Sequence, residues 1–173
     1  MNGARVGEGA PPPVITVVQR GQITESAHRG DVVVFHDPGT WLGEGFDNPY
    51  DTTLGHILQF IGIVPANSGK DLVKRVIGVG GDTVECCDNQ GRIMVNGKGI
   101  DEPYVKDGAG TAQVDFKVLV PEGKVFVMGD NRGNSEDSRF HLDQDNGMVP
   151  LEDIVGRVAL RVWPPDRIGG IER

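Results

Sequence analysis

Short runs of β-branched and aromatic residues, separated by glycine and proline, set the fold class of this chain. Val32-Val33-Val34-Phe35 is one such run, and Lys124-Val125-Phe126-Val127-Met128 is another. Residues of these types favour extended strands, whereas glycine and proline end strands and form turns. The 26 glycines and 11 prolines among 173 residues leave room only for short elements. The chain is therefore predicted to be mainly β.

The order of these runs predicts an antiparallel β-barrel or folded sheet with one short helical insertion. Asp71 to Val79 is predicted to be a strand, and Asn96-Gly97 is the commonest two-residue hairpin signal. Val32 to Phe35 has an apolar residue at every position, so we expect both of its faces to be buried.

The chain divides into three parts. Residues 1–13 contain a proline triplet and are expected to be disordered. Residues 14–165 form one domain, and residues 166–173 form a tail. Within the domain, residues 41–70 are an inserted loop and helix segment, whose helix is predicted to start near Asp51-Thr52-Thr53. That helix either packs on the sheet or lies on a membrane surface.

Composition excludes several functions. A net charge of −8 argues against a nucleic-acid partner, which calls for a basic face. Within these residues we expect neither a signal peptide nor a membrane-spanning helix, which needs about 20 apolar residues.

Cys86 and Cys87 are adjacent, and because neighbouring cysteines bridge only with strain, we expect unpaired thiols. With no histidine nearby they make a poor zinc site, so no metal or cofactor is expected.

The densest group of reactive side chains is the segment Gly129 to Arg139, directly after the apolar run that ends at Met128. Its Asp, Asn and Ser residues can fix a tight loop through bonds to their own backbone. Its arginines can clamp carboxylates with paired hydrogen bonds. A strand that ends in such a cluster is typical of a site, although a solvated turn after an edge strand has the same composition.

Four segments together resemble the type I signal peptidase family, whose members are membrane-anchored serine proteases that remove signal peptides with a Ser/Lys dyad. The segments are Arg29 to Phe35, Lys74 to Asp82, Gly129 to Arg139 and Val149 to Arg157. The similarity runs from Arg29 to Pro165, about 140 of 173 residues, and the ending Trp163-Pro164-Pro165 resembles the actinobacterial branch. The Gly129 to Arg139 segment is the most specific of the four.

The resemblance implies that Lys74 is the general base and that Ser135 orients its amine. A lysine acts as a base only when neutral, and burial in an apolar strand lowers its pKa. The plain alternatives are a solvent-facing lysine at a strand edge and a capping serine in a turn. The resemblance also implies a supporting framework of salt bridges and hydrogen bonds, formed by Arg75, Asp130, Arg132, Asp137 and Arg139.

The implied substrates are the signal peptides of exported preproteins. Asp71, Leu72 and Val73 resemble the edge-strand positions that pair with an extended peptide by strand addition. Leu72, Val73 and Val34 would line small apolar pockets, in keeping with the small residues before a signal-peptide cleavage site. The family's catalytic domain is placed on the extracytoplasmic face of the cell membrane, at the membrane surface.

One part of the family's pattern is not found in these residues. The family carries its nucleophile in a box of the type Ser-Met-x-Pro-Thr-Leu after a membrane anchor, and the usual spacing back from Arg29 places that serine at or before Met1. Ser26 is a weak substitute because it lies only three residues before Arg29. We therefore expect an N-terminally truncated chain with little activity of its own.

Three interpretations remain open. The first is a signal peptidase that is completed by sequence upstream of Met1. The second is a catalytically inactive signal-peptidase-like domain that binds extended peptides. The third, a self-cleaving repressor-type Ser/Lys peptidase, is disfavoured because the chain has no helix-turn-helix or basic region.

Overall fold

The computed structural model describes residues 16–20, 27–38, 41, 71–105, 114–161 and 168–171. This part of the chain contains strands and short 3₁₀ turns, which confirms the mainly β prediction. The strands are β1 (Thr16–Arg20), β2 (Val32–His36), β3 (Asp71–Val79), β4 (Thr83–Cys86), β5 (Met94–Val95), β6 (Lys98–Gly99), β7 (Phe116–Leu119), β8 (Lys124–Met128), β9 (Met148–Pro150), β10 (Ile154–Arg161) and β11 (Gly169–Gly170). The predicted disordered segment 1–13 and almost all of the insertion 41–70 lie outside the described residues.

The strands form two antiparallel sheets. The larger sheet has the order β1-β10-β2-β3-β8-β9, with β11 added to β10, and the smaller sheet has the order β6-β5-β4-β7. This is the folded-sheet form of the predicted architecture. β11 lies in the predicted tail, where its two glycines pair with Leu160 and Arg161 of β10.

Two apolar clusters place β3 and β8 at the centre of the molecule. Successive residues of a strand point to opposite faces of its sheet. Ile77 and Phe126 therefore belong to the cluster shared with the smaller sheet, while Val76 and Val127 belong to the cluster shared with β2. All four side chains are at most 1% exposed. The two strands that lead into the reactive segments are thus fixed by packing on both faces.

The expectation that β2 is buried on both faces was wrong. Val33 and Phe35 are fully buried, but the alternate residues Val32 and Val34 are half-buried. Only the face of β2 that carries Val33 and Phe35 packs against the core. An uninterrupted apolar run does not reveal which of its faces is covered.

Two turns, one between β5 and β6 and one after β3, are formed by residues that favour turns. Asn96 and Gly97 both have positive φ, at 53° and 75°, and connect β5 to β6 as predicted. Asp82 closes the turn after β3, since its carboxylate accepts hydrogen bonds from the Val79 amide and the Asn96 side chain, both at 2.9 Å. Arg29 completes this arrangement with a salt bridge to Asp82.

Cys86 and Cys87 are joined in a disulfide, so the expectation of unpaired thiols was wrong. Their Cα atoms lie 3.1 Å apart, and the peptide bond between them is cis. No helix in the described residues is long and apolar enough to cross a membrane.

Candidate active site

Lys74 lies in β3, one residue before the position at which that strand begins to pair with a second strand, β8. β3 pairs with β2 from Asp71 to Arg75, and with β8 from Arg75 onward, where Met128 is opposite Arg75. Since β8 ends at Met128, the chain that follows it passes close to Lys74. The Lys74 Nζ amine donates a hydrogen bond to Ser135 Oγ at 2.9 Å. The structure therefore brings together the two residues that the sequence assigned to the reaction.

The surroundings of Lys74 favour its neutral form. Burial lowers the pKa of the Lys74 amine below the ordinary lysine value, because desolvation penalises the charged form. The carboxylates of Asp137 and Glu136 act in the opposite direction, and the Arg139 guanidinium adds to the lowering. An amine with a lowered pKa, in contact with a hydroxyl, can accept a proton from a nearby group.

Arg75 ties the Lys74 strand to the segment after β8. Its Nε and Nη2 atoms donate to the two carboxylate oxygens of Asp130 at 2.8 and 2.7 Å, and its Nη1 donates to the Gly30 carbonyl at 2.8 Å. Arg75 is 3% exposed, so its charge depends on these partners. The bidentate geometry fixes Asp130 relative to the residue next to Lys74.

Asp137 and Arg139 form a second pair, whose side chains are both fully buried. Arg139 Nε and Nη2 each donate to Asp137 at 2.8 Å. Asp137 also accepts a hydrogen bond from the Gly129 amide at 2.9 Å, and Arg139 donates to the Arg132 carbonyl at 3.0 Å. The pair therefore closes the segment into a loop that begins and ends beside β8.

Gly129 is a site residue for which the sequence analysis assigned no role. A Cβ placed on Gly129 would lie 2.1 Å from Ser135 Oγ and 2.6 Å from Ser135 Cβ. Only a glycine lets Ser135 approach the backbone this closely. The available signal was a glycine at the end of a buried strand, which often marks a close approach.

Glu102 was also missed. Arg132 was predicted to support the site, but no partner was assigned to it. In the structure Arg132 Nη1 and Nη2 donate to the Glu102 carboxylate at 2.9 and 2.5 Å. No local pattern connects Glu102 with Arg132, because they are 30 positions apart and belong to different loops.

The predicted substrate-binding residues lie along β2 and the first half of β3. Val34 is opposite Val73 in the pairing of the two strands, and Val73 is 51% exposed. Leu72 packs partly against the β2 core. Asp71 accepts a hydrogen bond from His36 Nδ1 at 2.7 Å. Because successive residues of a strand point to opposite faces, Val73 and Val34 lie on one face of the sheet, and Leu72 lies on the other face together with Lys74.

Two further features bear on the chemistry. Ser26, the weak candidate nucleophile, lies outside the described residues. Among the residues that the structure describes, no three His, Cys, Asp or Glu side chains are grouped so as to hold a metal ion.

Comparison with known proteins identifies the family of this chain. The sequence profile of the family described as "Signal peptidase, peptidase S26" matches residues 11–163. The protein named "Probable signal peptidase I" of Mycobacterium leprae is 37% identical over 172 residues, which cover 84% of this chain and 59% of that protein. The "Signal peptidase I" of Mycobacterium tuberculosis strain H37Rv is 39% identical over 163 residues, and the match covers 83% of this chain and 55% of that protein.

A crystal structure of a signal peptidase I from Enterococcus faecalis is 25% identical, with a TM-score of 0.49, and the match covers 78% of this chain and 98% of that one. The chain spans a little over half the length of its mycobacterial relatives. The family profile nevertheless covers most of the 173 residues. The chain belongs to the S26 family of signal peptidases.

Proposed function

We propose that this chain is the catalytic region of a signal peptidase I, a serine endopeptidase that removes signal peptides from exported preproteins. The observation that supports this function best is the contact between the Lys74 amine and Ser135 Oγ, in surroundings that lower the pKa of the amine. A general base of this kind is what a peptidase needs to activate a hydroxyl without histidine.

In the proposed mechanism the neutral Lys74 amine takes the proton from the nucleophilic serine as that serine attacks the scissile carbonyl. The same amine then delivers the proton to the leaving nitrogen, and later activates the water that releases the acyl group. Ser135 holds the amine in one orientation by accepting its hydrogen bond. The nucleophile belongs to the family's Ser-Met box.

The proposed substrate lies along residues 71–74 of β3, which among the described strands pair with β2 alone. An extended peptide can add to this edge by backbone hydrogen bonds, with its alternate side chains directed into pockets. The exposed Val73 and its neighbour Val34 offer apolar surface to such side chains. We propose that this surface faces the outer side of the cytoplasmic membrane, where signal peptides emerge.

Cleavage of a labelled signal-peptide substrate tests the proposal. The assay compares the 173-residue chain with the product of the same reading frame extended upstream of Met1. We expect cleavage by the protein that carries the Ser-Met box, and a loss of about 10⁴-fold or more in Lys74→Ala. The matched control is Lys98→Ala, which removes an exposed lysine from β6 and should leave the rate unchanged.

Two results would contradict the proposed function. One is full cleavage by Lys74→Ala, which would assign the base elsewhere. The other is binding of the signal peptide without any cleavage by the extended protein, which would make the domain a peptide-binding module instead.

A further inference from the structure

The loop that follows β6 contacts both arginines of the site from the side of the smaller sheet. It carries Glu102 and Tyr104, whose hydrogen bonds and ring contact join them to each other and to the two arginines. We propose that Glu102 and Tyr104 are positioning residues, which hold Arg132 and Arg75 and so set the separation between the Lys74 amine and Ser135 Oγ. This inference rests on the proposed function, because it concerns the geometry of the same base.

Glu102 acts on the half of the site that follows β8. Its side chain is 4% exposed and that of Arg132 is fully buried, so each charge depends on the other. Both carboxylate oxygens are used by the guanidinium, in the bidentate form that restricts position and angle. Arg132 Nε in turn donates to the Gly129 carbonyl at 3.0 Å. Glu102 thus restrains the backbone against which Ser135 packs.

Tyr104 acts on the half of the site that belongs to β3. The Arg75 guanidinium carbon lies 3.7 Å from the centre of the Tyr104 ring, within the range of a cation–π contact. Arg75 is the residue after Lys74 and also holds Asp130. The ring therefore covers the face of the guanidinium and limits how far it can turn.

The two contacts are coupled. Tyr104 Oη donates a hydrogen bond to Glu102 Oε1 at 3.0 Å. Burial first, and then the Glu102 charge, raise the pKa of Tyr104, so the phenol keeps the proton that it donates. A displacement of either residue would therefore reach both arginines.

The contacts form a continuous path from this loop to the base. The path runs from Tyr104 through Glu102 and Arg132 to Gly129. From there it continues to Ser135, which lies against Gly129 and accepts the hydrogen bond of Lys74. A second branch runs from Tyr104 through Arg75, the neighbour of Lys74. One loop therefore restrains both partners of the 2.9 Å contact.

The test is an NMR titration of the Lys74 amine in protein with labelled lysine, with the Lys74 signal assigned by its loss in Lys74→Arg. It compares Glu102→Gln, Tyr104→Leu and Tyr104→Phe. We expect Glu102→Gln and Tyr104→Leu to raise the pKa of Lys74 toward that of a solvent lysine, because the loosened contact admits water. Tyr104→Phe keeps the ring over Arg75 and should move the pKa less.

Cleavage by the same variants supplies a second measurement. We expect kcat to fall by about 10- to 100-fold with KM less changed, since Glu102 and Tyr104 hold Arg132 and Arg75 rather than the proposed peptide-binding residues. The titration requires no turnover, so it decides this inference even if the proposed function fails in the cleavage assay.

The matched control is Glu85→Gln, which removes a carboxylate from the smaller sheet, where it pairs with Lys117 at 2.9 Å. An unchanged Lys74 titration in folded Glu102→Gln and Tyr104→Leu would overturn the proposal. An equal shift in Glu85→Gln would overturn it too, since the effect would then be a general loosening. If Glu102→Gln does not fold, Tyr104→Leu decides by the same criterion.

Discussion

Replacing Gly129 by alanine tests the geometry of the site directly, because the added methyl group would collide with Ser135, whose Oγ accepts the hydrogen bond from Lys74. The added Cβ would lie 2.1 Å from Ser135 Oγ and 2.6 Å from Ser135 Cβ, whereas ordinary contacts begin near 3.4 Å. Gly129 does not have a positive φ, so its backbone suits alanine and the clash is the whole effect.

The size of the effect follows from that overlap. Ser135 Oγ must move by roughly 1 Å or more to reach an ordinary contact, a displacement large enough to disrupt its 2.9 Å hydrogen bond with the Lys74 amine. Overpacking of this kind costs about 1–3 kcal/mol of stability, and the lost hydrogen bond adds about 1 kcal/mol. Misplacement of a catalytic group by about 1 Å can lower a rate by about 100-fold.

Three measurements test this prediction: thermal unfolding, the titration of Lys74 and cleavage of a signal-peptide substrate. We expect Gly129→Ala to melt earlier, to raise the pKa of Lys74 and to lower kcat. The control is Gly169→Ala, where an added Cβ meets no atom within 4 Å. If Gly129→Ala matches Gly169→Ala in all three measurements, the close approach of Ser135 to the backbone does not set the geometry of the base.

Three other outcomes are expected. Asp137→Asn removes the charge partner of the fully buried Arg139, and unfolding should show a loss of about 3–5 kcal/mol; an unchanged melting temperature would contradict the pairing. Cleavage should rise as the pH increases through the lowered pKa of Lys74, because only the neutral amine accepts a proton; a pH–rate profile without this limb would exclude it as the base. Burial raises the pKa of Asp82, but hydrogen bonds, first from Arg29, hold it below the ordinary value. Asp82 therefore stabilises the fold above the unfolded pKa of about 4, and this stability is lost as the pH falls through the folded pKa. Acid unfolding curves of the wild type and Asp82→Asn should converge at low pH, whereas a constant offset would refute the linkage.

Features with local causes were predicted well. The strand Asp71–Val79 has the predicted bounds, because β-branched residues fill it and Gly80-Gly81 ends it. The Asn96-Gly97 hairpin follows from the left-handed conformations that these two residues tolerate.

Features that depend on distant neighbours were predicted poorly. The strands β7 and β8 are consecutive in the chain and are joined by a short turn. However, β7 pairs with β4 in the smaller sheet and β8 pairs with β3 in the larger one. The turn therefore connects the two sheets. The β-propensity of the residues does not indicate which sheet a strand will join. The burial of one face of β2 has the same origin.

The sequence by itself determined the fold class and the family, and it predicted Lys74 as the base and Ser135 as its partner, since these depend on residue types and their order. The tertiary structure decided which polar and charged side chains contact one another. Lys74 and Ser135 are 61 positions apart, and Arg132 finds Glu102 across 30 positions. Pairing and desolvation act over a few ångströms, so they arise only when folding brings these segments together. The lowered pKa of Lys74 is therefore a property of the fold.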